Sequence, residues 1–267
     1  MCLDDVRGFV LDVDGTLVHR AANEAHVQPG AAEALAKIRA SGRPFAVFTN
    51  GSYEPPEAFA AGLRAVGLDV RDDELLTPLC SVRTYLDGHR LEGGVQLIGT
   101  EASREYLLRT GLRLVDGGNG ADAVFVATPV SVDFEELERA VRAVLGGARL
   151  LTGSFAPAYA GADGPIISRG AMMTAALAKA SGARPVVVGK PSKAALRTIG
   201  ERLGAPPSEL VVIGDDLGMD VALGKLGGAR TILVRSGISA MIDLDRVPER
   251  RRPDEVVDGI AELLDRL

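Results

Sequence analysis

The sequence predicts an α/β protein in which a doubly wound parallel sheet is interrupted by a second α/β unit. Uninterrupted apolar runs at residues 45–49, 186–189, 210–215 and 231–234 are typical of strands covered on both faces of a parallel sheet. Between two of these runs, Leu196, Ile199 and Leu203 recur at helical spacing behind Ser192, a residue type that caps helices. Polar groups follow the runs directly, which indicates a site at one edge of the sheet.

The first strand is predicted at Phe9, Val10 and Leu11, and it runs into two carboxylates, Asp12 and Asp14. Negative charges this close repel each other, and burying either one alone would cost several kcal/mol of free energy. A divalent cation such as Mg²⁺ would offset the repulsion, because it binds carboxylate oxygens and often lies between them and a substrate phosphate. A surface turn with two hydrated acids is the alternative, and this segment alone does not decide between them.

The spacing of the polar segments predicts an inserted domain. About 35 residues separate Asp14 from Thr49, which leaves room for one crossover helix and little more. About 140 residues separate Thr49 from Lys190, far more than a loop contains. The predicted division of the chain is a first core segment at 1–76, an α/β domain at 77–185 and a second core segment at 186–267.

The predicted insert has strand and helix patterns of its own. Apolar runs predict strands at residues 95–99, 123–127 and 148–153. A helix is predicted between the last two strands, beginning near Asp133, with Glu136 three residues later in the pattern of a capping box. The predicted apolar face of this helix consists of Phe134, Leu137, Val141 and Val144.

The composition of the 267-residue chain excludes several classes of protein. With 46% hydrophobic and 25% charged residues it is ordinary for a globular protein. A net charge of −6 indicates that the protein has no basic surface for nucleic acid. Trp is absent and aromatic residues make up 4% of the chain, which disfavours a base-stacking surface. The same scarcity favours sugar or polyol leaving groups over nucleotides. No apolar stretch is long enough for a membrane span, and no secretory signal is recognised. Cys2 and Cys80 lack metal-ligand spacing, so we expect reduced thiols in a cytoplasmic protein.

Further polar residues follow the other predicted core strands. Because ligands of open α/β sheets bind beyond the carboxyl ends of the strands, we expect these residues to face one crevice together with Asp12 and Asp14. They are Thr49, Asn50 and Gly51 after the second strand, Lys190 after the third, and Asp215, Asp216 and Asp220 after the fourth.

Taken in order, these motifs resemble those of the haloacid dehalogenase-like hydrolases over nearly the whole chain. The run from Asp12 to Thr16 matches the Asp-x-Asp-x-Thr motif, Thr49 the second motif, Lys190 the third, and the run from Gly214 to Asp216 the fourth. The segments VQPGA, FTNGS, GKPS and GARTILVRSGIS are similar to subfamily IIA, which includes p-nitrophenyl, phosphoglycolate, pyridoxal, nucleotide and sugar phosphatases. The resemblance implies a Rossmann-like core with an inserted α/β cap domain of the C2 type, and the predicted insert falls where that subfamily carries its cap.

The resemblance also implies roles for the acidic residues. Asp12 would attack phosphorus and form an aspartyl-phosphate, and Asp14 would protonate the leaving oxygen and later accept a proton from water. Mg²⁺ would be bound by the carboxylates of Asp12 and Asp215 and by the backbone carbonyl of Asp14. Lys190 would supply a fixed positive charge where negative charge accumulates on the transferred phosphoryl group.

The remaining predicted residues would support this chemistry. Thr49 and the backbone amides of Asn50 and Gly51 would bind the phosphate. Asp220 would hold a metal-bound water or orient the catalytic lysine. Asp216 would be a further group around the metal ligands or, as the alternative, would cap the helix that follows it.

The predicted function is Mg²⁺-dependent hydrolysis of a small phosphomonoester. A phosphomutase on the same core, and a phospho-ligand-binding regulator without turnover, are the alternatives. The segments expected to contact the leaving group are residues 152–155 and 162–173, whose sequences depart from those of the subfamily. Relatives often dimerise through the cap, so a homodimer of this kind is compatible with the resemblance; neither nucleic acid nor a membrane is an expected partner.

Overall fold

The computed structural model describes residues 3, 5–20, 25–117 and 120–267. Within them the strands are β1 Gly8–Leu11, β2 Val18–Arg20, β3 Ala25–Val27, β4 Phe45–Phe48, β5 Leu75–Leu76, β6 Gly94–Ile98, β7 Ala121–Val126, β8 Arg149–Thr152, β9 Ala158–Tyr159, β10 Ile166–Ile167, β11 Val186–Val187, β12 Leu210–Gly214, β13 Arg230–Val234 and β14 Glu255–Val257. The α-helices are α1 Ala31–Ala40, α2 Pro56–Ala65, α3 Pro78–His89, α4 Glu101–Arg109, α5 Phe134–Leu145, α6 Arg169–Ser181, α7 Lys193–Leu203 and α8 Ala222–Gly227.

The larger sheet is parallel and has the strand order β14-β13-β12-β1-β4-β5. From β1 the chain moves outward first through β4 and β5, and later in the other direction through β12, β13 and β14. The strand order therefore reverses at β1, and the residues that follow β1, β4 and β12 share the crevice where α/β sheets bind ligands. The predicted doubly wound α/β class is confirmed.

Side chains of β1 alternate between two buried faces of this sheet. Phe9 and Leu11 belong to an apolar cluster with residues of α1 and α2, whereas Val10 belongs to a second cluster with residues of α7. On β12, Val211 and Val212 are divided between the same two clusters. Burial on both faces explains why these strands are continuous apolar runs in the sequence.

The smaller sheet has the order β11-β8-β7-β6 and is also parallel. Strands β6, β7 and β8 lie at the three runs predicted for the insert. The prediction that residues 186–189 form a core strand is wrong, because Val186 and Val187 pair with Leu151 and Thr152 at the edge of this smaller sheet. Val186 and Val187 are only half-buried at this edge, and a short apolar run does not tell which sheet a strand joins.

Helix α5 begins where the sequence predicts, after Asp133, whose side chain accepts the N–H of Glu135. Its predicted apolar face is partly wrong, because Phe134 in the first turn is 82% exposed. The helix buries Val144, as predicted, together with Ala140 and Ala143, small residues that let it pack closely on the sheet.

Hydrogen bonds around the loop after β4 join the core, which contains the larger sheet, to the second unit, which contains the smaller sheet. The hydroxyls of Ser52 and Thr128 are 3.1 Å apart, and the hydroxyl of Ser103 donates to the Ser52 carbonyl at 2.7 Å. Helices α3 and α7 are joined by Thr84 and Thr198, whose hydroxyls are 2.8 Å apart. The loop that carries the predicted phosphate-binding residues is thus fixed against the second unit.

No helix in the described part of the chain is both long and apolar enough to cross a membrane. Cys80 is a free, half-buried thiol beside the hydroxyl of Tyr106. Cys2, the other cysteine for which the sequence predicts a reduced thiol, lies outside the described residues.

Candidate active site

A cavity of about 340 Å³ opens at the carboxyl ends of β1, β4 and β12, with residues of the second unit forming its opposite wall. Its volume is at the lower end of the range for small-molecule sites. Every site residue predicted from the sequence lines this cavity: Asp12, Asp14, Thr49, Asn50, Gly51, Lys190, Asp215, Asp216 and Asp220.

Lys190 is buried in the site and joins two carboxylates. Its Nζ donates to Asp12 Oδ1 at 2.5 Å and to Asp220 Oδ1 at 2.6 Å. Burial alone would lower the pKa of this ammonium, but the two carboxylates outweigh it and raise the pKa, so Lys190 is charged. Asp220 Oδ2 accepts the backbone N–H of Asp216 at 3.1 Å. Both oxygens of Asp220 are therefore engaged, and the one bonded to Nζ orients the lysine.

Three carboxylates form an acidic cluster around this lysine. Ligand atoms of Asp12, Asp215 and Asp220 all lie within 4.8 Å of one another. Burial and then the neighbouring negative charges raise the pKa of Asp215 to about 9, and burial raises the pKa of Asp220 to about 6. Burial also raises the pKa of Asp12, against the opposing charge of Lys190. One lysine cannot neutralise three buried carboxylates, so this donor set fits a divalent cation with hard oxygen ligands.

The Asp215 carboxylate has an oxygen that is free to bind such a cation. Its Oδ2 accepts the backbone N–H of Ile238 at 2.6 Å, whereas its Oδ1 accepts no hydrogen bond from another described residue. Gly15, at a φ of 92°, and Gly237 pack directly against the Asp215 carboxylate, where any Cβ would overlap it. Gly15, which lies within the first motif, therefore lets Asp215 approach the end of β1.

Asp14 forms an ion pair with Arg20, a residue that the sequence pattern does not single out. The Nε of Arg20, at the end of β2, donates to Asp14 Oδ1 at 2.5 Å, and the two side chains are 27% and 15% exposed. The guanidinium lies 5.8 Å from the centre of the Phe59 ring. No motif marks Arg20 in the sequence, because its role depends on the turn that folds β2 back toward Asp14.

The side chain of Asn50 has a structural task that sequence reasoning did not find. Its Oδ1 accepts the backbone N–H of Lys190 at 2.7 Å, and its Nδ2 donates to the Lys190 carbonyl at 2.9 Å. The N–H of Gly51 donates to the Thr49 hydroxyl at 3.1 Å, so the two predicted phosphate-binding groups lie side by side. Asn50 thus fixes the lysine-bearing loop to the loop after β4.

Asp216 caps the helical turn that follows it, which was the alternative considered for this residue. Its Oδ1 accepts the N–H groups of Gly218 and Met219 at 2.6 and 3.2 Å. Burial raises the pKa of Asp216, and the carboxylate of Asp220 raises it further. The residue lines the cavity, but its side chain is committed to the cap.

Residues of the second unit complete the cavity. Ser154 comes from the predicted contact segment 152–155, and Ile167 and Arg169 come from the segment 162–173. Three aromatic residues, Tyr53, Phe59 and Tyr159, also line the cavity, and the rings of Tyr53 and Phe59 meet edge to face with centroids 4.9 Å apart. The cavity therefore contains aromatic side chains although aromatic residues make up only 4% of the whole chain.

Comparison with known proteins agrees with this geometry. A family model described as haloacid dehalogenase-like hydrolase matches residues 9–113, and a second, HAD-hydrolase-like model matches residues 187–263. The chain is 30% identical to the dihydroxyacetone phosphatase of Corynebacterium glutamicum, over 96% of this chain and 90% of that protein. It is also 30% identical to the ribonucleotide monophosphatase NagD of Escherichia coli, over 97% of this chain and 98% of that protein.

A solved structure shows the same architecture. The p-nitrophenyl phosphatase from Archaeoglobus fulgidus superimposes with a TM-score of 0.85 at 30% identity, over 98% of this chain and all of that one. The chain therefore belongs to the haloacid dehalogenase-like hydrolases and, within them, to subfamily IIA. The predicted family, fold class and enzyme class, a phosphomonoester hydrolase, are confirmed.

Proposed function

We propose that this enzyme is a Mg²⁺-dependent phosphatase that acts on a small phosphomonoester through an aspartyl-phosphate on Asp12. The position of Asp12 carries the proposal: it follows β1 at the switch point, 2.5 Å from the ammonium of Lys190. A carboxylate is repelled by a phosphate dianion, and it can act as a nucleophile only where fixed positive charge offsets that repulsion. The relatives named as dihydroxyacetone, ribonucleotide and p-nitrophenyl phosphatases support a small phosphomonoester as substrate.

In the first step a carboxylate oxygen of Asp12 forms a bond to phosphorus. The bond between phosphorus and the ester oxygen breaks, and its electron pair stays on the leaving oxygen. Asp14, two residues on and lining the same cavity, gives its proton to that oxygen. Lys190 stays charged throughout and stabilises the negative charge on the transferred group.

In the second step water attacks the phosphorus of the aspartyl-phosphate. Asp14, now a carboxylate, accepts a proton from that water. The bond between phosphorus and the Asp12 oxygen breaks, which releases phosphate and restores the carboxylate. Arg20 holds Asp14 through the Nε–Oδ1 hydrogen bond and so fixes where the proton is given and taken.

Asp12 and Asp215 would hold the metal, together with the backbone carbonyl of Asp14, as the family resemblance implies. When bound, Mg²⁺ supplies the positive charge that the acidic cluster lacks and offsets the repulsion between nucleophile and phosphate. Thr49 and the backbone amides of Asn50 and Gly51 would bind the phosphate oxygens, with the Gly51 N–H leaving its bond to the Thr49 hydroxyl.

We also propose that the second unit is a cap that closes the cavity and selects the leaving group. Because β11 belongs to the smaller sheet, we place the end of this unit after residue 187 rather than at 185. None of the groups assigned to phosphoryl transfer lies between residues 77 and 187. Dimerisation through the cap and a cytoplasmic location stay predictions.

Phosphate release from p-nitrophenyl phosphate tests the proposal. We expect turnover with Mg²⁺, loss of nearly all activity after treatment with EDTA and dialysis, and recovery when Mg²⁺ is returned. Equal activity before and after EDTA treatment would contradict the metal assignment. Transfer of the phosphoryl group to a second sugar phosphate, with no free phosphate, would instead support the phosphomutase alternative.

A further inference from the structure

Arg20 has hydrogen-bonding capacity that its ion pair with Asp14 does not use. A guanidinium carries five N–H donors, and in this structure only the Nε–H, directed to Asp14, bonds to another described residue. The side chain is only 27% exposed and lines the cavity. Mostly buried donors require partners, and among the described residues the Nη groups have none, so they can donate to a ligand that enters the cavity.

The Nη groups of Arg20 lie beside the leaving group on the proposed mechanism. On the proposed mechanism, Asp14 contacts the oxygen that leaves, and Arg20 contacts Asp14 at 2.5 Å. The Nη groups belong to the same guanidinium, so on this mechanism they lie near the leaving group that Asp14 protonates. Lys190 itself is occupied by Asp12 and Asp220 and is not available to the leaving group.

Arg169 brings a second positive charge to the same part of the cavity. It is an exposed residue on the cavity wall of the second unit and forms no ion pair with any residue that the structure describes. It is the first residue of α6, where a cation opposes the helix dipole, so the helix gains no stability from it. Arg20, Tyr159 and Arg169 all line this cavity, and the charges of both arginines oppose the rise that burial causes in the pKa of Tyr159.

We infer that Arg20 and Arg169 select a phosphomonoester whose leaving group carries a second anion, a carboxylate or another phosphoryl group. This inference rests on the proposed function and narrows its substrate class from small phosphomonoesters in general to phosphorylated acids or bisphosphates. The anion accepts from the unused donors of Arg20 on the core side and from Arg169 on the second unit. Because the two arginines come from different units, the correct leaving group also joins the units across the cavity.

A neutral leaving group would give the Nη groups of Arg20 and the charge of Arg169 no anionic partner. A sugar or nucleoside hydroxyl can accept one hydrogen bond from a guanidinium but does not compensate its charge. Sites built around a specific polar partner discriminate strongly against analogues that lack it, commonly by more than about tenfold.

Matched substrates that differ only in the second anion test the inference. The carboxylate arm compares 2-phosphoglycolate with ethyl phosphate, and the phosphoryl arm compares propane-1,3-diol bisphosphate with its monophosphate. We expect the anionic member of at least one pair to have a kcat/KM about tenfold higher or more. The arm that shows the preference identifies the anion, and equal kcat/KM values in both pairs would overturn the inference.

Variants separate selection by the arginines from a general loss of activity. Arg20→Gln and Arg169→Gln should each reduce the anionic-to-neutral ratio by about tenfold, because each removes one charged partner. A merely structural role for Arg20 lowers both members of a pair equally and leaves the ratio unchanged. The control Arg197→Gln removes an exposed arginine far from the cavity and should change neither the ratio nor the p-nitrophenyl phosphatase activity.

Binding gives an answer that does not depend on turnover. Calorimetric titration of the Mg²⁺-loaded protein with 3-phosphonopropionate and with propylphosphonate should show tighter binding of the first, and Arg169→Gln should remove most of the difference. Equal affinities would overturn the inference even where p-nitrophenyl phosphate is hydrolysed, and the proposed function would then stand alone. Release of no phosphate from any phosphomonoester would count against the proposed function, while the phosphonate pair would still decide the role of the arginines.

Discussion

At the scale of single residues, Lys190 is held in place by two carboxylates with different tasks. Asp12 presents an oxygen toward the cavity, whereas Asp220 has both oxygens engaged, one by Lys190 Nζ and one by the Asp216 amide. The ammonium is thus fixed in direction before substrate binds, which is the condition for stabilising charge that develops in a transition state.

Asp220→Asn should lower kcat on p-nitrophenyl phosphate by about 10- to 100-fold, the usual cost of losing a group that orients a catalytic one. The change removes one of the two charges that orient Lys190 but leaves Asp12 in place. Asp216→Asn is the matched control, because asparagine also caps helices, and it should stay within about threefold of the wild-type kcat. Steady-state kinetics with saturating Mg²⁺ measures both, and equal effects of the two variants would contradict the separate tasks.

Asp215 makes the metal-free protein sensitive to pH. Its pKa of about 9 lies far above the ordinary 3.8, so the folded state holds a proton that the unfolded state has lost. The free energy of unfolding should therefore fall as pH rises from about 4 to about 9, by at most about 1.4 kcal/mol per pH unit. Asp215→Asn removes this contribution and should raise the Tm of the metal-free protein at pH 8.

Thermal unfolding with and without Mg²⁺ checks this prediction. Mg²⁺ should raise the Tm of the wild type, since a ligand that binds only the folded state stabilises it, and should do so much less for Asp215→Asn. Asp245→Asn, at an exposed carboxylate, is the control and should resemble the wild type. A wild-type Tm that Mg²⁺ does not change would count against Asp215 as a metal ligand.

At the scale of the elements, two loops from distant parts of the chain are fixed to each other by one side chain. Asn50, after β4, bonds both backbone groups of Lys190, which lies between β11 and α7. Asn50→Ala leaves an N–H and a carbonyl without these partners, which costs about 1–3 kcal/mol for each group that stays buried. We expect a lower Tm and a reduced kcat, measured by thermal unfolding and p-nitrophenyl phosphate turnover.

The Ser52→Ala variant is the control for Asn50→Ala. It removes a buried hydroxyl from the same loop but leaves the backbone of Lys190 fully bonded, so kcat should change little. Loss of kcat in Ser52→Ala equal to that in Asn50→Ala would show that the loop as a whole matters, and not the bonds to Lys190.

Some elements of the fold could be predicted from the sequence, and others could not. Strands such as β1 and β12 were predictable because burial on both faces gives an unbroken apolar run. The place of the carboxylates after them was predictable because ligands of α/β sheets bind beyond the carboxyl ends of the strands, where the strand order reverses. The sheet to which β11 belongs was not predictable, because two residues of strand carry no sign of their partner. The bonds of Asn50 and the ion pair of Arg20 were equally hidden, since both depend on contacts that only the folded chain makes.

At the scale of the whole molecule, we propose that phosphoryl transfer depends on the core and that the second unit, together with Arg20 of the core, selects the leaving group. Exchanging residues 77–187 for the matching segment of the ribonucleotide monophosphatase NagD of E. coli, to which this chain is 30% identical, should move substrate preference toward ribonucleoside monophosphates. Mg²⁺-dependent p-nitrophenyl phosphatase activity should stay within about tenfold of the parent, because a small activated substrate needs little from the cap. A well-folded chimera, judged by its Tm, that has lost this activity would contradict the division.

The most direct test of covalent catalysis is the mass of the protein caught during turnover. The Asp14→Asn variant lacks the base for the second step, and p-nitrophenolate leaves without needing a proton, so the phosphoenzyme should accumulate. Acid-quenched protein, analysed by intact mass and by peptide mapping, should carry one phosphoryl group on Asp12, and the Asp12→Asn variant should carry none. A phosphoryl group on another residue, or near-normal turnover by Asp12→Asn, would contradict the assignment of Asp12 as the nucleophile.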